Sequence, residues 1–184
     1  MKKKLTTKQV VATGIGAAVF LVLFKFVAIP TGIPNTQVNV AQSWLSLLAL
    51  IFGPAVGFLT AFIGHSLNDA ISYGSVWWSW VLADGLYGFI LAAGLRPFHL
   101  LRGRLTAVKV IVFNLGQMIA NALAWGLVAP SLDIFFYREP ALKVFLQGGV
   151  STVINVLSTA LIGTTLLYLF TRNNLAEASL KKED

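Results

Sequence analysis

The chain has 184 residues, 57% of them hydrophobic and 11% charged, with no cysteine and a formal net charge of +7. A soluble domain of this size carries about 25% charged residues, so a water-covered globule is excluded, as are disulfides, thiolate metal sites and cysteine nucleophiles. An integral helical membrane protein is the class that fits, and the basic residues sit at segment ends, where they report orientation rather than nucleic-acid binding.

MKKKLTTKQ leads into an apolar run over 9–29. The run is longer than the core of a signal peptide, and no small-x-small cleavage site precedes Pro30, so it is expected to stay as a first membrane helix. Pro30, Gly32 and Pro34 end it. Residues 41–52 predict a short apolar helix that stops at Gly53-Pro54, and Pro54 suits the first turn of a third helix over 54–72. After Tyr73-Gly74-Ser75 a fourth helix runs over 76–95 and stops at Arg96-Pro97. The basic connection RPFHLLRGRLTAVK leads to a fifth helix over 108–129, expected to end at Pro130, with SLDIFFYREP as an outer loop. A long sixth helix covers 141–171, and a polar tail follows. With no internal repeat, residues 1–184 are expected to form one all-α domain, a bundle of six membrane-crossing helices.

Six crossings put both termini on one side. Eleven of the fourteen lysines and arginines fall there, and only Lys25, Arg138 and Lys143 fall toward the other. The positive-inside rule makes the crowded side cytoplasmic. His65, Asn68 and Asp69 then lie in the outer half of helix three, and Trp77, Trp78, Trp80 and Asp84 in the outer half of helix four, with Tyr87 near its middle. Gln117, Asn121 and Trp125 climb helix five, and Gln147, Ser151 and Asn155 descend helix six. Spacings of three, four or seven give each set a common face. An ionised aspartate at mid-depth costs at least ~2.5 kcal/mol, so these groups should face the bundle interior. One reading is an outward-open pocket for a planar polar ligand, with aromatic walls and a few fixed hydrogen-bonding groups. The competing readings are amides that join helices, tryptophans anchored at the membrane interface and a packed histidine.

In VVATGIGAAVF, Ala12/Gly16, Thr13/Ala17 and Gly14/Ala18 are small pairs at spacing four. They would let another helix approach closely, either within the bundle or from a partner. No P-loop, His-Glu-x-x-His or Gly-x-Ser-x-Gly occurs. No nucleophile–base arrangement is recognisable, so the chain is expected to be no enzyme and to carry no cofactor or metal.

Six helices within 184 residues, the small-residue first helix after lysines, the Pro/Gly outer loop and GPAVGFLTAFIGHSLNDAISYG resemble the substrate-binding S-components of energy-coupling factor (ECF) vitamin transporters. The resemblance spans essentially the whole chain. VVATGIGAAVF and the helix-three passage are similar to a branch that includes proposed hydroxymethylpyrimidine or pyridoxine carriers. The resemblance implies a multi-pass protein of a prokaryotic cytoplasmic membrane that captures a water-soluble vitamin or precursor from outside. It implies docking through Ala12, Gly14, Gly16 and Ala18 onto a transmembrane coupling subunit, the T-component, with two ABC-type ATPases consuming ATP. It also implies a pocket built from residues around Asn35–Asn39, with Trp80, Asp84, Asn121, Gln147 and Asn155. The full candidate set is Asn39, His65, Asp69, Trp77, Trp80, Asp84, Tyr87, Asn121, Gln147 and Asn155. A stand-alone ion-coupled transporter, with Asp69 or Asp84 as the proton or sodium site, is the main alternative.

Overall fold

The computed structural model describes residues 4–30 and 37–180, without the side chains of 29, 30, 38, 39 and 177–180. Helix α1 (Thr7–Phe26) opens on a capping box: Thr6 Oγ1 accepts from the Gln9 amide at 3.3 Å, and Gln9 Oε1 accepts from the Thr6 amide at 3.0 Å. This satisfies two otherwise unpaired donors. The helix ends three residues before the expected boundary because Ala28–Pro30 (β1) pairs antiparallel with Gln37–Asn39 (β2), Ala28 facing Asn39. Asn35 lies outside the described residues. So does the side chain of Asn39, whose backbone closes β2.

Helix α2 (Ala41–Phe52) matches its expected bounds. Gly53 turns the chain at φ +101°, a value that favours glycine, and Pro54 starts α3 (Pro54–Tyr73). Gly74, at φ +72°, ends α3, and α4 (Trp78–Leu95) follows. Helices α3 and α4 touch backbone to backbone. A Cβ on Gly57 would lie 2.9 Å from the Gly88 carbonyl oxygen, and one on Gly88 would lie 2.8 Å from the Gly57 carbonyl oxygen. A short 3₁₀ segment, Arg96–Phe98, leads into the basic connection.

Helix α5 (Ala107–Asn121) does not stop at Pro130. It widens into a π-helical stretch, Ala122–Val128, and continues as α6 (Ala129–Tyr137). Proline lacks an amide hydrogen and its ring crowds the preceding turn. The wider π turn just before it admits both without breaking the rod. The expected outer loop over 131–137 is therefore helix. Helix α7 (Ala141–Ser158) likewise passes through a π stretch, Thr159–Gly163, into α8 (Thr164–Leu180).

Among the described residues the result is six helical rods, of which four are long and apolar enough to cross a membrane: Thr7–Phe26, Trp78–Phe98, Ala107–Tyr137 and Ala141–Ala176. Helix α2 is apolar but has only 12 residues, about 18 Å at 1.5 Å per residue. Helix α3 has the length of a crossing, but His65, Asn68 and Asp69 lower its hydropathy; all three are buried inside the bundle. Phe20, Leu45, Tyr87, Leu91, Phe113 and Leu167 fill the core. Large apolar side chains left exposed, such as Ile15, Ile71, Ile119 and Leu161, lie on the outer faces of the rods, as contact with lipid requires.

Candidate functional site

The polar residues of α3 and α4 meet. His65 Nδ1 lies 2.8 Å from Asp84 Oδ2, and His65 Nε2 lies 3.4 Å from Asp69 Oδ1. The imidazole thus bridges two carboxyl groups. Asp69 is one turn along α3 from His65, and Asp84 reaches it from α4.

Asp84 is fully buried, and Gln42 of α2 donates to its second oxygen through Nε2. The Gln42 carbonyl oxygen, Oε1, is itself buried without a hydrogen-bond donor. Asp69 accepts from the Trp77 backbone amide at 3.1 Å and from Asn68 Nδ2 at 3.4 Å, which fixes the start of α4 against the end of α3. Aromatic rings enclose the imidazole. Phe24 sits with its centroid 4.7 Å away, Trp125 stacks at 6.4 Å with a 13° interplanar angle, and Trp80 lies 5.5 Å from Trp125.

A third carboxyl group, Asp133 on α6, gathers the tryptophans. Trp77 Nε1 donates to one of its oxygens at 2.8 Å and Trp80 Nε1 to the other at 2.8 Å, and the Ser79 hydroxyl donates as well. Asp133 is 1% exposed. Three donors compensate a carboxylate that would otherwise be expensive to bury. Outside this knot, the Trp77 ring lies 5.4 Å from that of Tyr137, whose hydroxyl accepts from the Trp78 amide at 3.3 Å.

His65, Asp69, Trp77, Trp80 and Asp84 are thus brought into one connected cluster. The other candidates belong to different contacts. The Tyr87 hydroxyl is 2.6 Å from Ser46 Oγ in the core. Asn121 Nδ2 donates to the backbone and side-chain oxygens of Gln117, at 3.0 and 3.1 Å, and Gln117 Nε2 donates to the Val156 carbonyl at 3.2 Å, joining α5 to α7. Gln147 and Asn155 are buried on α7. Gln42, Phe24, Trp125 and Asp133 complete the cluster without having been among the candidates. Gln42 and Asp133 did carry a signal, since each is a polar side chain inside an otherwise apolar segment, AQSWL and SLDIFF.

The small residues of α1 divide between two faces. Gly16 is buried, and a Cβ there would lie 2.4 Å from Leu48 and 3.2 Å from Thr60. Ala12 is half-buried. Gly14 has open space around it, and Gly14 and Ala18 are exposed beside Val11, Ile15 and Val22.

The profile of the family described as "ECF-type riboflavin transporter, S component" matches residues 4–172. A "UPF0397 protein" of Leuconostoc citreum is 53% identical over 97% of this chain and 95% of its own length. Another, of Lactiplantibacillus plantarum, is 50% identical over 99% and 98%. Among solved structures, the S-component for biotin from an ECF-type ABC transporter superposes with a TM-score of 0.61 at 14% identity, covering 90% of this chain and 94% of that one. FolT bound with folic acid superposes with a TM-score of 0.58 at 18% identity, covering 87% and 95%. The fold is that of an S-component. Such proteins are vitamin-uptake transport subunits rather than enzymes, and the apolar helices and bacterial relatives make this one a prokaryotic membrane protein. The chain belongs to the ECF-type riboflavin transporter S component family.

Proposed function

We propose that this chain captures a small planar nitrogen heterocycle, a vitamin or vitamin precursor, and that hydroxymethylpyrimidine or pyridoxine fits better than a larger ligand. The observation that carries the reading is Asp84: a fully buried carboxyl group held by Gln42 and His65, with aromatic faces at Phe24, Trp80 and Trp125 close by. A carboxylate accepts from the ring N–H, amino or hydroxyl groups of such a compound, and the indoles offer faces for stacking. His65 and Asp69 hold Asp84 in register, and Trp77 and Trp80 form the outer wall. Asn39, Tyr87, Asn121, Gln147 and Asn155 are proposed as supporting residues of the same pocket.

The family supports the rest of the reading. The protein spans the membrane six times with both termini in the cytoplasm and takes its cargo from outside. It docks on a T-component energised by two ABC-type ATPases, which use the ATP. Gly14 and Ala18 are the docking pair, since they lie exposed on α1 while Gly16 packs inward.

Calorimetric titration of the purified chain with hydroxymethylpyrimidine, pyridoxine, riboflavin, biotin and folic acid tests the ligand. A pyrimidine or pyridine compound should bind, and Asp84→Ala should weaken it at least about tenfold, the loss of a charge-assisted hydrogen bond. Binding of riboflavin alone would replace the ligand and leave the transport role intact. Uptake that follows an ion gradient without any ATPase would favour the stand-alone transporter.

A further inference from the structure

The end of the bundle away from the His65 cluster holds a cavity of about 690 Å³. The start of α1, the α2–α3 turn, the end of α4 and the segment after it line it. Its lining combines apolar side chains, Leu50, Phe52, Pro54, Leu95 and Leu101, with the basic residues Lys4, Arg96, His99 and Arg102, and among the described residues no aspartate or glutamate lines it. Among the described residues Lys4, Arg96 and Arg102 form no ion pair.

The segment that carries Arg96, His99 and Arg102 is held by its backbone. The His99 amide donates to the Arg96 carbonyl at 3.4 Å, and the Arg102 amide donates to the His99 carbonyl at 3.0 Å. These two bonds, with His99 in the left-handed region at φ +48°, fix the turn that carries the three basic side chains. Lys109 Nζ donates to the carbonyls of Arg102 and Arg104, which ties the far end of the segment to α5. Gln9 Nε2 donates to the Phe52 carbonyl at 3.0 Å, joining the start of α1 to the end of α2 within the lining.

We propose that this cavity is a binding site for an anionic phospholipid. Its position at the helix ends is the depth of headgroups, and basic pockets between membrane helices take such headgroups. Guanidinium groups pair with phosphate oxygens through parallel hydrogen bonds. The apolar side chains of the same lining take the first part of an acyl chain. A free phosphate would use only the basic residues, and a neutral lipid only the apolar ones.

Native mass spectrometry of the full chain released from detergent tests this, with phosphatidylglycerol and phosphatidylcholine of matched chains and glycerol 3-phosphate as a headgroup without tails. Phosphatidylglycerol should stay bound one to one and phosphatidylcholine should not. Arg96→Gln combined with Arg102→Gln should lower its retention by about tenfold, whereas Lys143→Gln should leave it unchanged. The unaltered chain gives a second test, because the preference for phosphatidylglycerol must fall as ionic strength rises. Equal retention of the two lipids, a double variant that holds phosphatidylglycerol like the parent, or displacement of the lipid by an equal concentration of glycerol 3-phosphate would each overturn the assignment.

Discussion

Asp133 shows how much one side chain can organise. It accepts from both indoles of Trp77 and Trp80 and from Ser79, so it fastens α6 to the start of α4. Asp133→Ala would leave three donors without an acceptor at a site that is almost fully buried. Each buried donor left unpaired costs about 1–3 kcal/mol. The expected outcome is a clearly lower midpoint in thermal unfolding and faster amide hydrogen exchange across 129–137, with ligand affinity falling as Trp80 loses its fixed position. Asp133→Asn retains an acceptor oxygen, so its loss should be smaller. Equal midpoints for the parent and Asp133→Ala would mean that the indoles find other partners. The reason this residue escaped the sequence reading is local. Pro130 read as a helix stop, which assigned 131–137 to a loop, and a loop aspartate carries no inward direction. His65, Asp69 and Asp84 were legible because their spacing along ordinary α-helix fixes a common face.

At the scale of elements, the glycines separate by what surrounds them. Gly57 and Gly88 stand where α3 and α4 meet, and a Cβ on either would lie under 3.0 Å from the other's backbone oxygen. Gly88→Ala should destabilise the fold by about 1–3 kcal/mol, since neither backbone can yield locally. Gly94, on the same helix, has nothing within 4 Å, and Gly94→Ala should be neutral or stabilising by about 0.5–1 kcal/mol. Detergent-solubilised thermal unfolding separates the two, and equal shifts would contradict the close contact. On α1 the same logic divides docking from folding. Gly14→Leu should abolish co-purification with the T-component and ATPases while ligand binding persists. Gly16→Leu should damage the fold itself through Leu48 and Thr60. Sequence alone left these pairs equivalent, because a smooth stripe of small residues does not say which side is lipid. The turns at Gly53-Pro54 and Gly74 were legible, since each rests on a local backbone requirement. The ribbon of β1 and β2 was not, because three-residue strands are too short to show a period of two.

Considered as a whole molecule, the chain places most of its basic residues at one end and its candidate site at the other. The cavity with Lys4, Arg96 and Arg102 and the Asp84 cluster with Trp77 and Trp80 lie toward opposite ends of α4. In the orientation proposed above from the positive-inside rule the basic end is cytoplasmic, and the aspartate–tryptophan cluster then faces the outer solution. This orientation is testable without background because the chain has no cysteine. Arg104→Cys would sit in the basic connection and Glu139→Cys between α6 and α7, both exposed or partly so. In intact cells a membrane-impermeant maleimide should label Glu139→Cys and spare Arg104→Cys, which should react only after permeabilisation. The reverse pattern would turn the site toward the cytoplasm, and capture from outside could not then be its task. Labelling of both in intact cells would mean an even number of crossings between them, and α5–α6, the rod that separates these positions, would then not cross the bilayer. Its 31 residues span about 46 Å, against a hydrocarbon core of about 30 Å, so burying its apolar surface in lipid requires a full crossing.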